Sequence, residues 1–155
     1  MKFRLVIFII SLIGFGVYNH FTSARRDGSG DIVSEGQIGS FEIKQGDCFN
    51  NTDFSNLTTL PAVPCAEPHD NEVYAVFDIP LSTYESDDET FRLAVEACTE
   101  RFDNFVGRTY EDSKLDILTL YPTLATWEEG DRGIVCAVFD VDGEKLMGTA
   151  EGLGI

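Results

Sequence analysis

At 155 residues the chain has room for one folded domain with one core plus a short targeting or linker segment, which excludes a second catalytic domain. Hydrophobic residues at 43% and aromatics at 12% belong to a folding chain, and there is neither an internal repeat nor a low-complexity run. The net charge of −16, with 24 acidic against seven basic residues from Phe41 onward, disfavours nucleic acid and anionic lipid; it suits cationic partners, divalent ions or plain solubility.

In chain order, Lys2 and Arg4 precede an apolar run from Leu5 to Tyr18, and Arg25 and Arg26 follow it. This pattern marks residues 1–26 as a membrane-targeting segment, either a signal anchor or a signal peptide. The anchor is preferred, because Thr22 and Ala24 make a poor cleavage site with two arginines directly behind it. The expected location is the cell membrane, single-pass, with the domain outside the cytoplasm, or the exterior if the signal is cleaved. Residues 27–40, "DGSGDIVSEGQIGS", hold few large apolar groups and read as a flexible linker. The domain is then expected over 41–155.

Within it, "FEIKQGDCF" predicts a strand ending near Cys48, followed by a polar loop, "NNTDFSNLTTLPA", and a short run, "VPC", able to lie beside the first strand. In "EVYAVFDI", Val73, Ala75, Phe77 and Ile79 alternate with Glu72, Tyr74 and Asp78, which predicts a half-buried strand ended by Pro80. The clearest helix lies in "STYESDDETFRLAVEACTERFDNFVG". Ser86 and Glu89 have capping-box spacing, Asp87, Asp88 and Glu89 load the first turn with favourable charge, and Gly107 offers a stop. Phe91, Val95, Cys98 and Phe102, then Phe105 or Val106, recur at helical spacing and predict the buried face. Beyond the helix, "LDILTLYPTLATW" is strand-like with a break at Pro122, and "GIVCAVFDV" is a strand carrying Cys136. "DVDGEKLMG" predicts a hairpin turning at Asp142 and Gly143. Its alternating aspartates also resemble the start of a calcium loop, but the stretch from Asp140 to Glu151 offers poor ligands in between.

Four cysteines, at 48, 65, 98 and 136, all follow the targeting segment. An even count in a small exported domain predicts two disulfides, and the absence of any close cysteine pair weighs against a structural zinc site. Cys98 on the buried face of the helix must reach a strand, which favours a bridge to Cys136 and leaves Cys48 with Cys65.

The segments "GDCF", "VPCAEPHDNEVYAVFD", "AC…RFDNFVGRTYEDSKLDILTLYPT", "W…GDRGIVCAVFD" and "GTAEG" resemble the septum-formation domain, a bacterial family of exported or membrane-anchored modules. The resemblance covers nearly all of Phe41 to Ile155. It implies an extracytoplasmic role at the cell envelope or division septum, and it brings no catalytic residues.

His69, the one histidine beyond the targeting segment, stands beside Asp70 with Glu67 and Glu72 close by. A nucleophile–base site needs a serine or free cysteine next to it, and neither a serine elbow nor a free thiol is expected. One histidine without a spaced partner makes a weak metal constellation. The plainer reading is that Pro68 fixes a bend whose backbone His69 or Asp70 holds by hydrogen bonds; a binding role for His69 and Asp70 is the alternative. Trp127 and Tyr121, with Tyr110 and Tyr74, offer aromatic faces for a glycan or peptide, although a lone tryptophan before a turn is commonly core. Asn50 and Asn56 lie in N-x-Thr sequons, relevant only under eukaryotic-type secretion.

The expectation is an α+β domain: a mainly antiparallel sheet packed by one principal helix, stapled by two disulfides and tethered by the N-terminal segment. Its expected role is a non-enzymatic accessory or binding module without cofactor or metal, whose partners are envelope or division proteins or a cell-wall polymer. The alternative is a cell-wall glycan hydrolase or glycan-binding domain using surface carboxylates and aromatics.

Overall fold

The computed structural model describes residues 23–54 and 57–155. The apolar run from Leu5 to Tyr18, and with it the expected membrane segment, lies outside these residues, as does Asn56. Among the described residues no helix is long and apolar enough to cross a membrane.

The strands are β1 (Arg25–Arg26), β2 (Ile32–Ser34), β3 (Gly36–Gly39), β4 (Cys48–Phe49), β5 (Thr59–Val63), β6 (Asn71–Asp78), β7 (Leu115–Leu120) and β8 (Gly133–Asp140). The helices are α1 (Asp87–Val106) and α2 (Leu124–Glu128). Six strands form one antiparallel sheet in the order β3-β5-β4-β6-β8-β7, and β1 pairs with β2 in a separate ribbon. The α+β expectation holds, with α1 laid against β6 and β7.

Residues 27–40 are not a linker. They carry β2 and β3, and Ile32 and Ile38 are buried in a hydrophobic cluster with Phe49 and Leu60. Two isoleucines per fourteen residues suffice here because β3 is registered along β5, Ile38 against Leu60. At Gly36 a Cβ would collide with the backbone of Ser23 and Ala24, so glycine at that position permits the close approach of the N-terminal strand. The loop expected between Cys48 and Cys65 likewise yields β5, while the expected strand before Cys48 shrinks to two residues.

Both faces of the sheet are covered, so the core divides in two. Under α1 lie Cys98, Phe102, Leu115, Ile134, Cys136 and Val138; on the opposite face lie Phe49, Leu60, Val73, Val135 and Ala137. The simple alternation expected for β6 fails because a bulge falls between Val73 and Ala75. Val73 therefore faces one core while Tyr74 and Ala75 both belong to the other, where the Tyr74 hydroxyl donates to the Cys98 carbonyl at 2.8 Å.

Helix α1 starts as expected: the Glu89 amide donates to Ser86 Oγ at 3.1 Å, and Gly107 closes the far end in the left-handed region at φ 80°. The Glu89 carboxylate, however, pairs with Arg92. The buried face is Thr90, Ala94, Cys98, Phe102 and Val106, an i+4 series. Phe91, expected inside, is 46% exposed and rests on the Tyr121 ring 5.2 Å away.

Two other expectations change. After Pro122 the chain forms α2, capped by Thr123, in place of more strand. "DVDGE" turns at Asp142 and Gly143, with the Asp140 carboxylate accepting from the Asp142 amide at 2.8 Å, but no hairpin strand returns along β8. Instead the C-terminal segment runs as a strap over the domain. Leu146 pairs with His69, the Gly148 amide donates to Cys65 O, and the Gly152 and Gly154 amides donate to Phe105 O and Val106 O at the end of α1.

Candidate functional site

The two disulfides join Cys48 to Cys65 and Cys98 to Cys136, with Cα–Cα distances of 5.2 and 5.5 Å, and no cysteine among the described residues is free. The first bridge staples β4 to the bend that feeds β6. Around it the bend, β6, the strap, the end of α1 and the loop leading into β2 line an open groove of about 890 Å³. Pro64, Cys65 and Ala66 form one side, Ile32, Val33 and Phe105 supply apolar surface, and Asp31, Glu67, Glu72 and Glu151 supply carboxylates. Among the described residues the lining contains no lysine or arginine. Such a surface favours a segment bearing both apolar and cationic groups.

Glu72 is the most deeply set of these acids, only 3% exposed. Its two oxygens accept from the Thr149 hydroxyl and the Ala150 amide, each at 2.6 Å, so β6 is tied to the strap. His69 is fully buried directly behind the staple. Its Nδ1 lies 2.8 Å from Glu67 O, and Nε2 has no hydrogen-bond partner among the described residues. Donor atoms of Cys48, His69 and Glu72 lie within 4.8 Å of one another, but the Cys48 sulfur is spent in the bridge, leaving two donors in the oxidised chain.

Asp70 faces outward beside this cluster. It ion-pairs with Lys145 at 2.7 Å and accepts from the Asn51 amide at 2.8 Å. Burial pushes its carboxyl up, but Lys145 and the Asn51 amide outweigh that push and hold it below the usual range. His69 and Asp70 thus both hold the bend, the ring by fixing Glu67 O and the carboxylate by tying the bend to Asn51 and the strap.

The aromatic candidates are elsewhere. Trp127 belongs to the core under α1, 9% exposed, with the Arg132 guanidinium 3.4 Å above its ring and Tyr84 at 5.5 Å. Tyr121 packs on Phe91 at the same core's margin. Neither lines the groove, so His69 and Asp70 are not joined with Trp127 and Tyr121 into one site. Sequence reasoning singles out neither Thr149 nor Phe105 for this site; the short "GTAEG" motif at the end of the chain is the one signal in the sequence for the strap.

A family model described as septum formation matches residues 45–152. The chain belongs to the septum-formation family. That membership connects it with cell division or the cell envelope. No curated protein and no solved structure matches the chain. In this septum-formation chain the matched stretch contains both disulfides, His69, Glu72 and Thr149, whereas Asp31, Ile32 and Val33 precede it. One wall of the groove therefore comes from outside the family core.

Proposed function

We propose that the chain is a membrane-anchored, extracytoplasmic accessory module of septum formation that acts by binding. The observation carrying this reading is the acidic groove at the Cys48–Cys65 staple, whose apolar surface and lining without lysine or arginine among the described residues fit a basic, partly apolar segment of a division or wall-synthesis protein. Two disulfides with no free cysteine among the described residues are in keeping with an oxidising compartment, and the basic-flanked apolar run from Leu5 to Tyr18 would supply the anchor. Catalysis is not part of the proposal: the groove's deepest carboxylate, Glu72, is committed to the strap by two hydrogen bonds.

The test is crosslinking and pull-down of the full chain from cells expressing it, with partners identified by mass spectrometry and free thiols counted in the same sample. Division or wall-synthesis proteins among the partners, with no free thiols, support the module. Retention on purified cell wall without a protein partner would transfer the role to a glycan-binding or hydrolytic domain.

A further inference from the structure

The two disulfides have different surroundings. Cys98 and Cys136 are both fully buried in the core under α1. Cys65 is part-exposed on the wall of the groove, whereas its partner Cys48 is fully buried beside His69 and Glu72. Cys65 is therefore the member of this bridge that a thiolate entering the groove would meet, and the sulfur it would displace is Cys48.

His69 supplies the second observation. Glu67 O can only accept, so His69 Nδ1 carries a proton, and in the neutral ring Nε2 presents a lone pair. That nitrogen is buried and has no donor among the described residues, although buried polar atoms are nearly always paired. A disulfide sulfur has no proton to give it; a Cys48 thiol has one. Reduction of the bridge would therefore supply the donor that Nε2 lacks in the oxidised chain.

We infer that Cys48–Cys65 is a thiol–disulfide exchange site for a dithiol partner, and that Cys98–Cys136 is not. A thiolate of the partner attacks Cys65 Sγ, forming a mixed disulfide as the Cys48–Cys65 bond breaks and its electron pair leaves on Cys48. The proton that the partner's first thiol gave up is taken by the His69 Nε2 lone pair and passed to the departing Cys48 thiolate, so the imidazole starts and ends neutral and accepts from the new thiol. The partner's second thiol then attacks its own sulfur in the mixed disulfide, releasing Cys65, which is protonated from solvent. Two electrons pass to the bridge, the dithiol becomes a disulfide, and its two protons are balanced on Cys48 and Cys65. Because Cys65 walls the groove, opening the bridge reshapes the surface proposed to bind. The inference goes beyond the binding reading and stands without it.

The test exposes the full chain, in detergent, to graded dithiothreitol, alkylates the freed thiols and maps them by mass spectrometry while circular dichroism follows the fold. Cys48 and Cys65 should open at dithiol concentrations about tenfold or more below those that open Cys98–Cys136, with the helix signal intact, since access governs exchange. Glutathione, a monothiol probe, should be trapped on Cys65 and not on Cys48. His69→Ala should slow opening about tenfold or more, the low end for a lost proton-transfer group. Simultaneous opening of both bridges as the helix signal collapses, or trapping on Cys48, would overturn the inference. If His69→Ala does not fold, the order of opening and the trapped sulfur in the unaltered chain decide alone.

Discussion

The Arg26 guanidinium grips the buried Asp47 carboxylate through two hydrogen bonds, 2.5 and 2.7 Å long. Asp47 also accepts from the Lys44 amide at 2.7 Å, and its backbone carbonyl receives the Val73 amide at 2.9 Å. One side chain from β1 thereby fixes the turn that delivers Cys48 to the sheet. The Asp47 partnership holds the Arg26 pKa above its ordinary value. Arg26→Ala leaves a carboxylate that is 2% exposed without its cation, a loss of about 3–5 kcal/mol for a broken buried pair. Arg26→Lys should recover only part of this, because an ammonium cannot reproduce the two-pronged contact. Urea denaturation of the three proteins measures both.

The bridges should differ in their contribution to stability. Cys98–Cys136 closes 38 residues and Cys48–Cys65 closes 17, which corresponds to about 4 and about 3 kcal/mol on loop entropy. Cys98→Ser adds a hydroxyl to a fully buried site, so its melting temperature should fall further than that of Cys65→Ser. Equal melting of Cys98→Ser and the parent would contradict the role of the core bridge.

Alkaline stability should depend on Tyr74. Burial pushes its phenol well above the ordinary value of 10, so the folded chain keeps the proton that the unfolded chain releases. The stabilisation is complete below pH 10 and is lost as pH rises from there toward the folded value, at up to about 1.4 kcal/mol per pH unit. Tyr110, whose hydroxyl donates to Asp116, is raised in the same direction and adds only a small, solvent-screened share. Tyr74→Phe retains the ring contacts with Phe102 and Phe105 but removes the hydrogen bond to Cys98 O. It should cost about 1 kcal/mol at neutral pH and flatten the alkaline loss, as read by denaturation at successive pH values.

The features legible in the sequence are those whose physics is local. The Ser86 cap, the left-handed Gly107 and the periodicity that buries Cys98 are written within one helix, and placing Cys98 on its buried side is enough to pair it with Cys136. The rotation of that face away from Phe91 is not legible, because Tyr121, which partners Phe91, comes thirty residues later. Strands β2 and β3 escape because their stability comes from β5 and from the Arg26–Asp47 pair, not from their own Gly- and Ser-rich composition. The Tyr74 bulge reverses an alternation that the sequence displays as regular. His69 and Asp70 can be read as a bend, but the groove in front of them is assembled from segments near residues 31–33, 64–67, 105 and 149–151, and no local pattern announces it.

Reversing charge at the groove rim should separate binding from folding. Glu67 and Glu151 are exposed, so Glu67→Lys with Glu151→Lys should change stability by about 0.5 kcal/mol or less. Capture of a cationic partner should weaken strongly in this variant, and capture by the parent should decline with added salt. Quantitative pull-down at two ionic strengths reports both effects.

The most direct measurement is photo-crosslinking from a reactive side chain placed at Ala66, which is exposed on the groove wall, in cells expressing the full chain. The expected adducts are with a division or wall-synthesis protein, mapped to a basic segment of that partner and lost in the Glu67→Lys, Glu151→Lys variant. Adducts with cell-wall polymer alone, or with cytoplasmic proteins, would contradict it.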